Sequence, residues 1–350
     1  MEEVVIKSDD MLVMNLLNYF ITEENYNPMI IHGITDEIWL ENLNNDYKII
    51  RIVSHHIHNK EQLAFDKFKL NRIVKEVKKK TLSFKVKVLS IYTDIEDDKI
   101  LSENDIFISK EKDINNPKLT GIFPNIVEKT ERTENGIEYF IKVTENINKK
   151  SEKRTKTAEK IFSYKKPIIT YIIMVLYTLA FSFIFLLSSG IDLTNIITLI
   201  IYLLFNVYAI YAIGKEIEML YGKIKFIVIY IISGLCGMIL SLAFTKTITI
   251  LDPIGSIFGL LGALLYFGYY YRTYLGVTIK KSVIPIIIIN LIYGLISGIS
   301  IASHIGGLVG GILISMLLGV PDKSSKRERI NGLIMSTIYI VFIIYLAFWR

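Results

Sequence analysis

The sequence has only one cysteine, Cys236, among its 350 residues. A disulfide needs two thiols and a thiolate metal site needs several, so this chain alone can form neither, and it encodes no thiol redox chemistry. A basic, apolar leader is also absent, because the chain opens with Met1-Glu2-Glu3 and acids precede its first apolar run. We therefore expect no signal peptide, and we expect the N-terminal half to stay in the cytoplasm.

Charge is scarce in the second half of the chain. Up to residue 166 acids, bases and apolar residues are mixed as in a soluble domain, whereas from Pro167 onward apolar stretches dominate. We divide the chain into a small α+β cytoplasmic domain at 1–145, a charged linker at 146–166 and a membrane domain at 167–349. The net charge of +6 comes mainly from Lys and Arg beside apolar stretches, so it indicates topology, and no nucleic-acid partner is expected.

Seven apolar stretches are long enough, or nearly so, to cross a bilayer, which takes about 20 residues. The predicted spans are 167–187, 193–213, 226–244, 254–271, 283–296, 301–320 and 330–349. Lys and Arg cluster before the first span and after the second, fourth and sixth, whereas the opposite loops carry only Lys246. Because positive loops stay in the cytoplasm, the sequence predicts a multi-pass protein of the cell membrane with its N-terminus cytoplasmic and its C-terminus extracytoplasmic.

Small residues and one histidine distinguish two of these spans. His304 lies within the sixth span, and an ionisable residue inside a span is usually functional. Glycines at helical spacing occur in both the fourth and the sixth span: Gly255, Gly259, Gly262, Gly306, Gly307, Gly310 and Gly311. Close packing of neighbouring helices explains such a series without any catalytic role.

Four segments together resemble the rhomboid intramembrane proteases, in particular bacterial members with an N-terminal cytoplasmic domain. Residues 303–311 resemble the family's Ala-His-x-x-Gly-x-x-x-Gly helix, with Ser303 in place of Ala. Residues 255–266 resemble the helix after the catalytic serine, 202–206 stand where the family has His-x-x-x-Asn, and 214–222 resemble the loop that follows. The resemblance implies a rhomboid-like α-helical bundle of seven transmembrane helices; the cytoplasmic half resembles this subgroup only around 36–41.

The resemblance also identifies what the chain lacks. Rhomboids cleave peptide bonds with a serine and histidine pair and with donors that hold the oxyanion. The family's Gly-x-Ser-Gly aligns with residues 252–255, so Ile254 occupies the position of the nucleophile, whereas His304 keeps the position of the base. Tyr202, which replaces a histidine, and Asn206 occupy the oxyanion positions. A hydrocarbon side chain cannot attack a carbonyl carbon.

Two serines lie near the lost nucleophile. Ser256 is two residues further on, which turns its side chain by about 200° on a helix, away from His304. Ser303 adjoins His304 on one helix, where neighbours do not face each other. The family's long loop between the first two spans is absent too, since only residues 188–192 join them. Because loss of a catalytic serine costs about 10⁶ in rate, we expect a pseudoprotease.

His304 then needs a structural role. We expect a neutral imidazole stacked on Phe258, with Tyr202 or Asn206 as its polar partner. No second histidine or carboxylate on a neighbouring span is placed to complete a metal site, and no chain of ionisable groups suggests proton relay. The sequence therefore predicts neither a metal nor a cofactor.

The cytoplasmic half shows a helix, three strands, a helix and a strand. The periodicity predicts helices at 10–23 and 60–80 and strands at 29–32, 37–41, 47–53 and 81–92. This order resembles the core of restriction-endonuclease-like folds, but the third strand, Lys48-Ile49-Ile50-Arg51, lacks the acid of the nuclease's acid-x-Lys. We therefore expect a non-catalytic protein-binding module. His55, His56 and His58 are expected at the surface, without convergence on a metal.

These features favour a binding role. We expect the membrane domain to recognise transmembrane helices of client proteins from the bilayer without cutting them, while the cytoplasmic domain recruits a soluble partner as an adaptor does. The alternative is an active intramembrane serine-type endopeptidase with another nucleophile. A small-solute transporter would need a polar lumen, which these spans do not supply.

Overall fold

The computed structural model describes residues 8–29, 31, 37–81, 83, 85–96, 98, 101–130, 136–187, 193–246, 252–297 and 301–349. The chain divides into two compact units, one of residues 1–79 and 83–158 and one of residues 80–82 and 159–350. Part of the strand predicted at 29–32 and the whole of the connection 188–192 lie outside the described residues.

A five-stranded mixed sheet organises the first unit. Its strands lie in the order β1 (Asn27–Met29), β2 (Glu37–Glu41), β3 (Tyr47–Val53), β4 (Lys87–Tyr92) and β5 (Asp105–Phe107). The first three strands are antiparallel, whereas β4 runs parallel to β3 and β5 runs parallel to β4. Parallel strands need a crossover, and helix α2 (Lys60–Thr81) supplies it between β3 and β4.

Helices cover both faces of this sheet. Leu12 and Leu16, four residues apart on α1 (Ser8–Thr22), are buried with Ile50 of β3 in one apolar cluster. Ile49 precedes Ile50 in β3, faces the other side of the sheet and is buried with Val77 of α2. Successive residues of a strand face opposite sides of the sheet, so the sequence of a strand that is buried on both sides is a continuous run of apolar residues.

The sequence predicted the order of the first elements correctly. It missed β5, because three residues carry too little periodicity to be recognised. After β5 come a short 3₁₀ helix and three α-helices: Glu111–Asn115, α3 (Pro117–Ile122), α4 (Ile126–Thr130) and α5 (Gly136–Phe162). Helix α5 contains most of the segment predicted as a charged linker.

The second unit is a helical bundle. Its helices are α6 (Ile168–Leu187), α7 (Leu193–Tyr221), α8 (Lys223–Thr245), α9 (Ile254–Tyr270), α10 (Arg272–Thr278), α11 (Ile284–Ser297), α12 (Ile301–Leu318) and α13 (Lys326–Phe348). A π-helical turn at Ile279–Val283 makes α10 and α11 one continuous helix. Among the described residues, 6 helices are long and apolar enough to cross a membrane, and the 17-residue α9 is a shorter, mostly buried seventh.

Two predicted span boundaries differ from the helices by eight residues or more. The second span was expected to end at residue 213 before a loop at 214–222, but α7 continues to Tyr221. The fifth was expected to begin at 283, yet its helix begins at Arg272 and includes two lysines in the π-helical turn. Apolar runs end at the first charged residue, whereas a helix continues where the protein or the membrane surface accommodates the charge.

Glu218 shows how α7 accommodates a charge. It is only 3% exposed, and its carboxylate accepts hydrogen bonds from the backbone N–H groups of Ile169 (3.0 Å) and Thr170 (2.7 Å) and from the Thr170 hydroxyl (2.8 Å). The first N–H groups of a helix have no partner within it, and the helix dipole favours an anion there. Glu218 therefore caps α6 from the neighbouring helix.

Glycines let three helices meet at the centre of the bundle, where α8, α9 and α12 pack most closely. A Cβ added to Gly307 would lie 1.9 Å from the carbonyl oxygen of Gly255, and one added to Gly311 would lie 2.0 Å from that of Gly259. A Cβ on Gly237 of α8 would lie 2.7 Å from the Cα of Gly255. The predicted close packing through glycine is confirmed, and it fixes the start of α9 against α12.

Candidate functional site at the start of helix α9

The residue at the predicted nucleophile position is packed hydrocarbon. Helix α9 begins at Ile254, directly after Pro253. The Ile254 side chain is half-buried and packs against a cluster that includes Phe258 and Leu261 of the same helix and Ile279 of the π-helical turn. The position that would need a hydroxyl therefore contributes apolar contact alone.

His304 lies on α12 and is 5% exposed. Its ring centroid is 4.4 Å from that of Phe258, with the two planes at 76°, an edge-to-face contact. The predicted contact of His304 with Phe258 is confirmed, but the rings meet edge-to-face and are not stacked. Because Phe258 follows Ile254 by one helical turn, the imidazole lies beside the start of α9.

The two nearby serines are directed into helix packing. The Ser256 hydroxyl donates to the backbone carbonyl of Tyr230 on α8 at 2.9 Å. Ser303 is 5% exposed, and its oxygen lies 3.3 Å and 3.4 Å from Cβ positions built on Gly237 and Gly255. Ser256 is thus held toward α8, as expected from its position along the helix, and Ser303 lies among the glycines where α8, α9 and α12 meet.

The two polar departures from the rhomboid pattern contact each other. Tyr202 stands where the family has histidine, and its hydroxyl donates to Asp252 Oδ1 at 3.0 Å. Asp252 stands where the family has glycine, and the same oxygen accepts the backbone N–H of Ile254 at 3.1 Å. The Asn206 amide donates to the Tyr202 carbonyl at 2.9 Å. Sequence reasoning noted both departures and missed their pairing, although a phenol and a carboxylate are complementary hydrogen-bonding groups.

This pairing changes what the site can do chemically. An oxyanion site needs free N–H or O–H donors directed at a developing negative charge. Here the Tyr202 hydroxyl and the Ile254 N–H both donate to Asp252, whose carboxylate would repel a second negative oxygen. Asp252 is also close enough to His304 to interact with it electrostatically. The site therefore combines an apolar group at the nucleophile position with a carboxyl group beside it.

A second polar cluster lies in the first unit. Arg51 of β3 is 1% exposed and binds Asp66 of α2 through Nη1 at 2.6 Å and Glu37 of β2 through Nε at 2.7 Å. The Tyr92 hydroxyl donates to Asp66 at 3.0 Å. Burial acts to raise the pKa of Asp66, but the hydrogen bonds and charge of Arg51 outweigh burial and lower it.

Arg51 also bears on the nuclease analogy. Ligand atoms of Glu37, His55 and Asp66 lie within 4.8 Å of one another, as metal ligands would. The Arg51 guanidinium binds both of these carboxylates, so a side-chain cation stands where a divalent ion would be expected. The non-catalytic, protein-binding role of this unit stays a prediction.

The expectation that the neighbouring histidines would not converge is wrong for one pair. The rings of His56 and His58 are 4.1 Å apart, because alternate residues of an extended segment share a side. The bridge between Ile57 and Ile95 brings Glu96 to the same side, and ligand atoms of His56, His58 and Glu96 lie within 4.8 Å of one another. These three side chains are exposed, as was expected of the two histidines, and their donor types suit a divalent transition metal.

Comparison with known proteins identifies the bundle. Residues 198–321 match the family model of the Rhomboid domain, a stretch that contains the whole site at the start of α9. The chain is 32% identical over 173 residues to Rhomboid protease GluP of Bacillus subtilis (strain 168), and the match covers 41% of this chain and 33% of that protein. The chain thus spans about a third of the length of this relative. The chain is a multi-pass membrane protein that carries a Rhomboid domain.

Proposed function

We propose that this protein is a pseudoprotease that binds transmembrane helices of client proteins without cleaving them and acts as an adaptor. The observation that carries the proposal is the half-buried Ile254 at the aligned nucleophile position. The bond between Tyr202 and Asp252 supports it, because that bond engages a donor that an oxyanion would need. The site thus differs from the family's at three positions, Tyr202, Asp252 and Ile254, and no single substitution could restore them all.

The binding part of the proposal follows from what the chain keeps. The glycine contacts between α9 and α12 and the packing of His304 on Phe258 preserve a helical scaffold around a site that lacks a nucleophile. Helices in lipid associate through close packing and hydrogen bonds between side chains, and both are available at such a site. In the first unit, Arg51 fills the position that a nuclease metal would take, so we assign this unit the recruitment of a soluble partner instead of catalysis.

Cleavage can be tested directly. The purified protein is reconstituted in liposomes with a rhomboid substrate, beside its His304→Ala variant and with Rhomboid protease GluP as the active control. We expect intact substrate with both forms of this protein and fragments with the control. Fragments that form with the unmodified chain and disappear in the His304→Ala variant would overturn the pseudoprotease proposal.

Binding needs its own measurement. A donor dye on the protein and an acceptor dye on a single-span peptide report proximity in liposomes by energy transfer. We expect saturable transfer that unlabelled peptide competes away. Transfer that rises linearly with peptide and resists competition would reflect random proximity in the bilayer and would contradict the binding role.

An active endopeptidase is the second candidate. The retained His304 and the name of the relative, a rhomboid protease, favour it. It requires a hydroxyl other than the aligned one to reach His304, and Ser256 already donates to the Tyr230 carbonyl. The cleavage assay with His304→Ala separates the two candidates.

A further inference from the structure

Asp252 stands where the rhomboid family has glycine, so its carboxylate has no counterpart in the cleavage chemistry of that family. It lies two residues before α9, at the same end of the bundle as His304. Both of its hydrogen bonds, from the Tyr202 hydroxyl and the Ile254 N–H, go to Oδ1. The donors hold the carboxylate in a fixed orientation and leave Oδ2 without a hydrogen-bond donor among the described residues.

No cation of the described part of the chain pairs with this carboxylate. Neither Lys nor Arg in that part approaches it within 4.0 Å, and Lys246 is the C-cap of α8 without an ion pair to Asp252. A partly buried carboxylate near the hydrocarbon is costly unless a positive group or several donors compensate it. His304 acts on the carboxylate only through space, and Oδ2 remains able to accept a donor.

Transmembrane helices carry the complementary group. Their ends are flanked by Lys and Arg, whose long apolar stems lie along the helix while the charged head reaches toward the membrane surface. Asp252 precedes the first turn of α9 and so lies at the end of an apolar helix, where the flanking residues of a neighbouring span would also be found. A client helix that packs against this end of the bundle can therefore donate a charge-assisted hydrogen bond to Oδ2.

We propose that Asp252 is a specificity residue that selects client helices with a Lys or Arg at the membrane boundary, an inference that rests on the proposed binding function. In an active rhomboid a carboxylate here would oppose the oxyanion; in a non-cleaving relative it is free to serve recognition. The substitution that damages catalysis thus provides a contact for a basic partner.

The test uses the full-length protein in liposomes and two labelled peptides. Each peptide is a single span of about 20 Leu and Ala residues, and the two differ only by Lys or Gln at the boundary position. We expect the Lys peptide to bind the unmodified protein about tenfold more tightly, the size of one hydrogen bond to a charged group. In Asp252→Asn, which keeps Oδ1 as an acceptor, the preference should fall below about twofold with the Gln peptide bound as before.

A matched control removes a different carboxylate. Asp322 is exposed and follows the opposite end of α12 from His304, so Asp322→Asn should leave the preference unchanged. Circular dichroism and size-exclusion profiles establish that both variants are folded. Equal binding of the two peptides by the unmodified protein, or a preference that persists in Asp252→Asn, would overturn the role of Asp252 while the binding function stands. Failure of both peptides to bind would overturn both.

Discussion

At the scale of single residues, the site is defined by substitutions that compensate one another. Asp252 and Tyr202 are 50 residues apart in the chain, yet each provides what the other needs, an acceptor and a donor. The family's histidine would put a titratable base beside Asp252, whereas tyrosine puts a neutral hydroxyl donor there. Tyr202 and Asp252 therefore form a matched pair of donor and acceptor.

Restoring the serine alone should not restore cleavage. In Ile254→Ser the carboxylate of Asp252 still accepts the Tyr202 hydroxyl and still repels an oxyanion. We expect Ile254→Ser to release no more product than Ile254→Ala from a rhomboid substrate, measured by gel or mass spectrometry. The triple variant with Asp252→Gly and Tyr202→His should exceed the single one by at least about tenfold. A single variant as active as the triple one would show that Asp252 does not obstruct the chemistry.

Asp66 should make the first unit sensitive to acid. Its pKa is lower in the folded protein than the unfolded value of about 3.9, because Arg51 outweighs burial. Asp66 therefore stabilises the fold above that unfolded value, and this contribution is lost as the pH falls toward the folded pKa. Asp66→Asn should lower the free energy of unfolding at pH 7 by about 3 kcal/mol and weaken its decline below pH 4.

Trp39 fluorescence measures this effect, since the ring lies 5.2 Å from the Arg51 guanidinium. Trp349→Phe removes the other tryptophan. The control is Glu61→Gln, an exposed carboxylate on the same helix as Asp66, which should change stability by less than about 0.5 kcal/mol. An Asp66→Asn variant with the full acid dependence of the unmodified protein would contradict the assignment.

How far single residues could be predicted depends on spacing. The contact of His304 with Phe258 was predictable because Phe258 follows Ile254 by one turn on a helix placed by resemblance. The bond from Tyr202 to Asp252 was not, since the sequence alone does not place the start of α9 against α7 to within a hydrogen bond. The pair His56 and His58 was misjudged because its convergence depends on a bridge to another segment.

At the scale of helices and strands, sequence periodicity predicted most of the elements. Some predicted ends were wrong, because charged residues were taken to end a span. Helix α7 extends eight residues beyond its predicted end at 213 to Tyr221. Its buried Glu218 looked like a loop residue in sequence, because nothing there showed that the start of α6 would supply three donors. Because Glu218 caps the neighbouring helix, α7 continues through this charged residue and does not end there.

The cap leads to a stability prediction. Glu218→Gln removes one acceptor and leaves a buried N–H or hydroxyl of Ile169 or Thr170 without its partner, at a cost of about 1–3 kcal/mol. Glu216 lies two residues earlier on α7 and is exposed, so Glu216→Gln is the matched control and should have little effect. Thermal unfolding in detergent, followed by circular dichroism, compares the two. Equal melting temperatures for both variants would show that the cap contributes nothing measurable.

At the scale of the whole molecule, the second unit places most of its positive charges at one end, with Lys246 as an exception at the other. Lys225 near the start of α8 donates to the carbonyl of Gly319 just past α12, at 2.8 Å. Lys323, in the same turn, lies 5.8 Å from the ring of Tyr271 at the end of α9. Three helix ends with basic residues thus meet, as the rule for positive loops requires. The site at Asp252 and Ile254 is at the opposite end of α9.

The basic end is therefore expected in the cytoplasm and the site near the outer surface, and the lone cysteine makes this testable. Cys236 is 2% exposed, so the unmodified chain should not react with a membrane-impermeant maleimide. Thr245→Cys, exposed at the end of α8, should be labelled on intact cells. Lys326→Cys at the start of α13 and Lys118→Cys in the first unit should react only after permeabilisation. The reverse pattern would place Asp252 on the cytoplasmic side, where a client helix would present its other flank to the carboxylate.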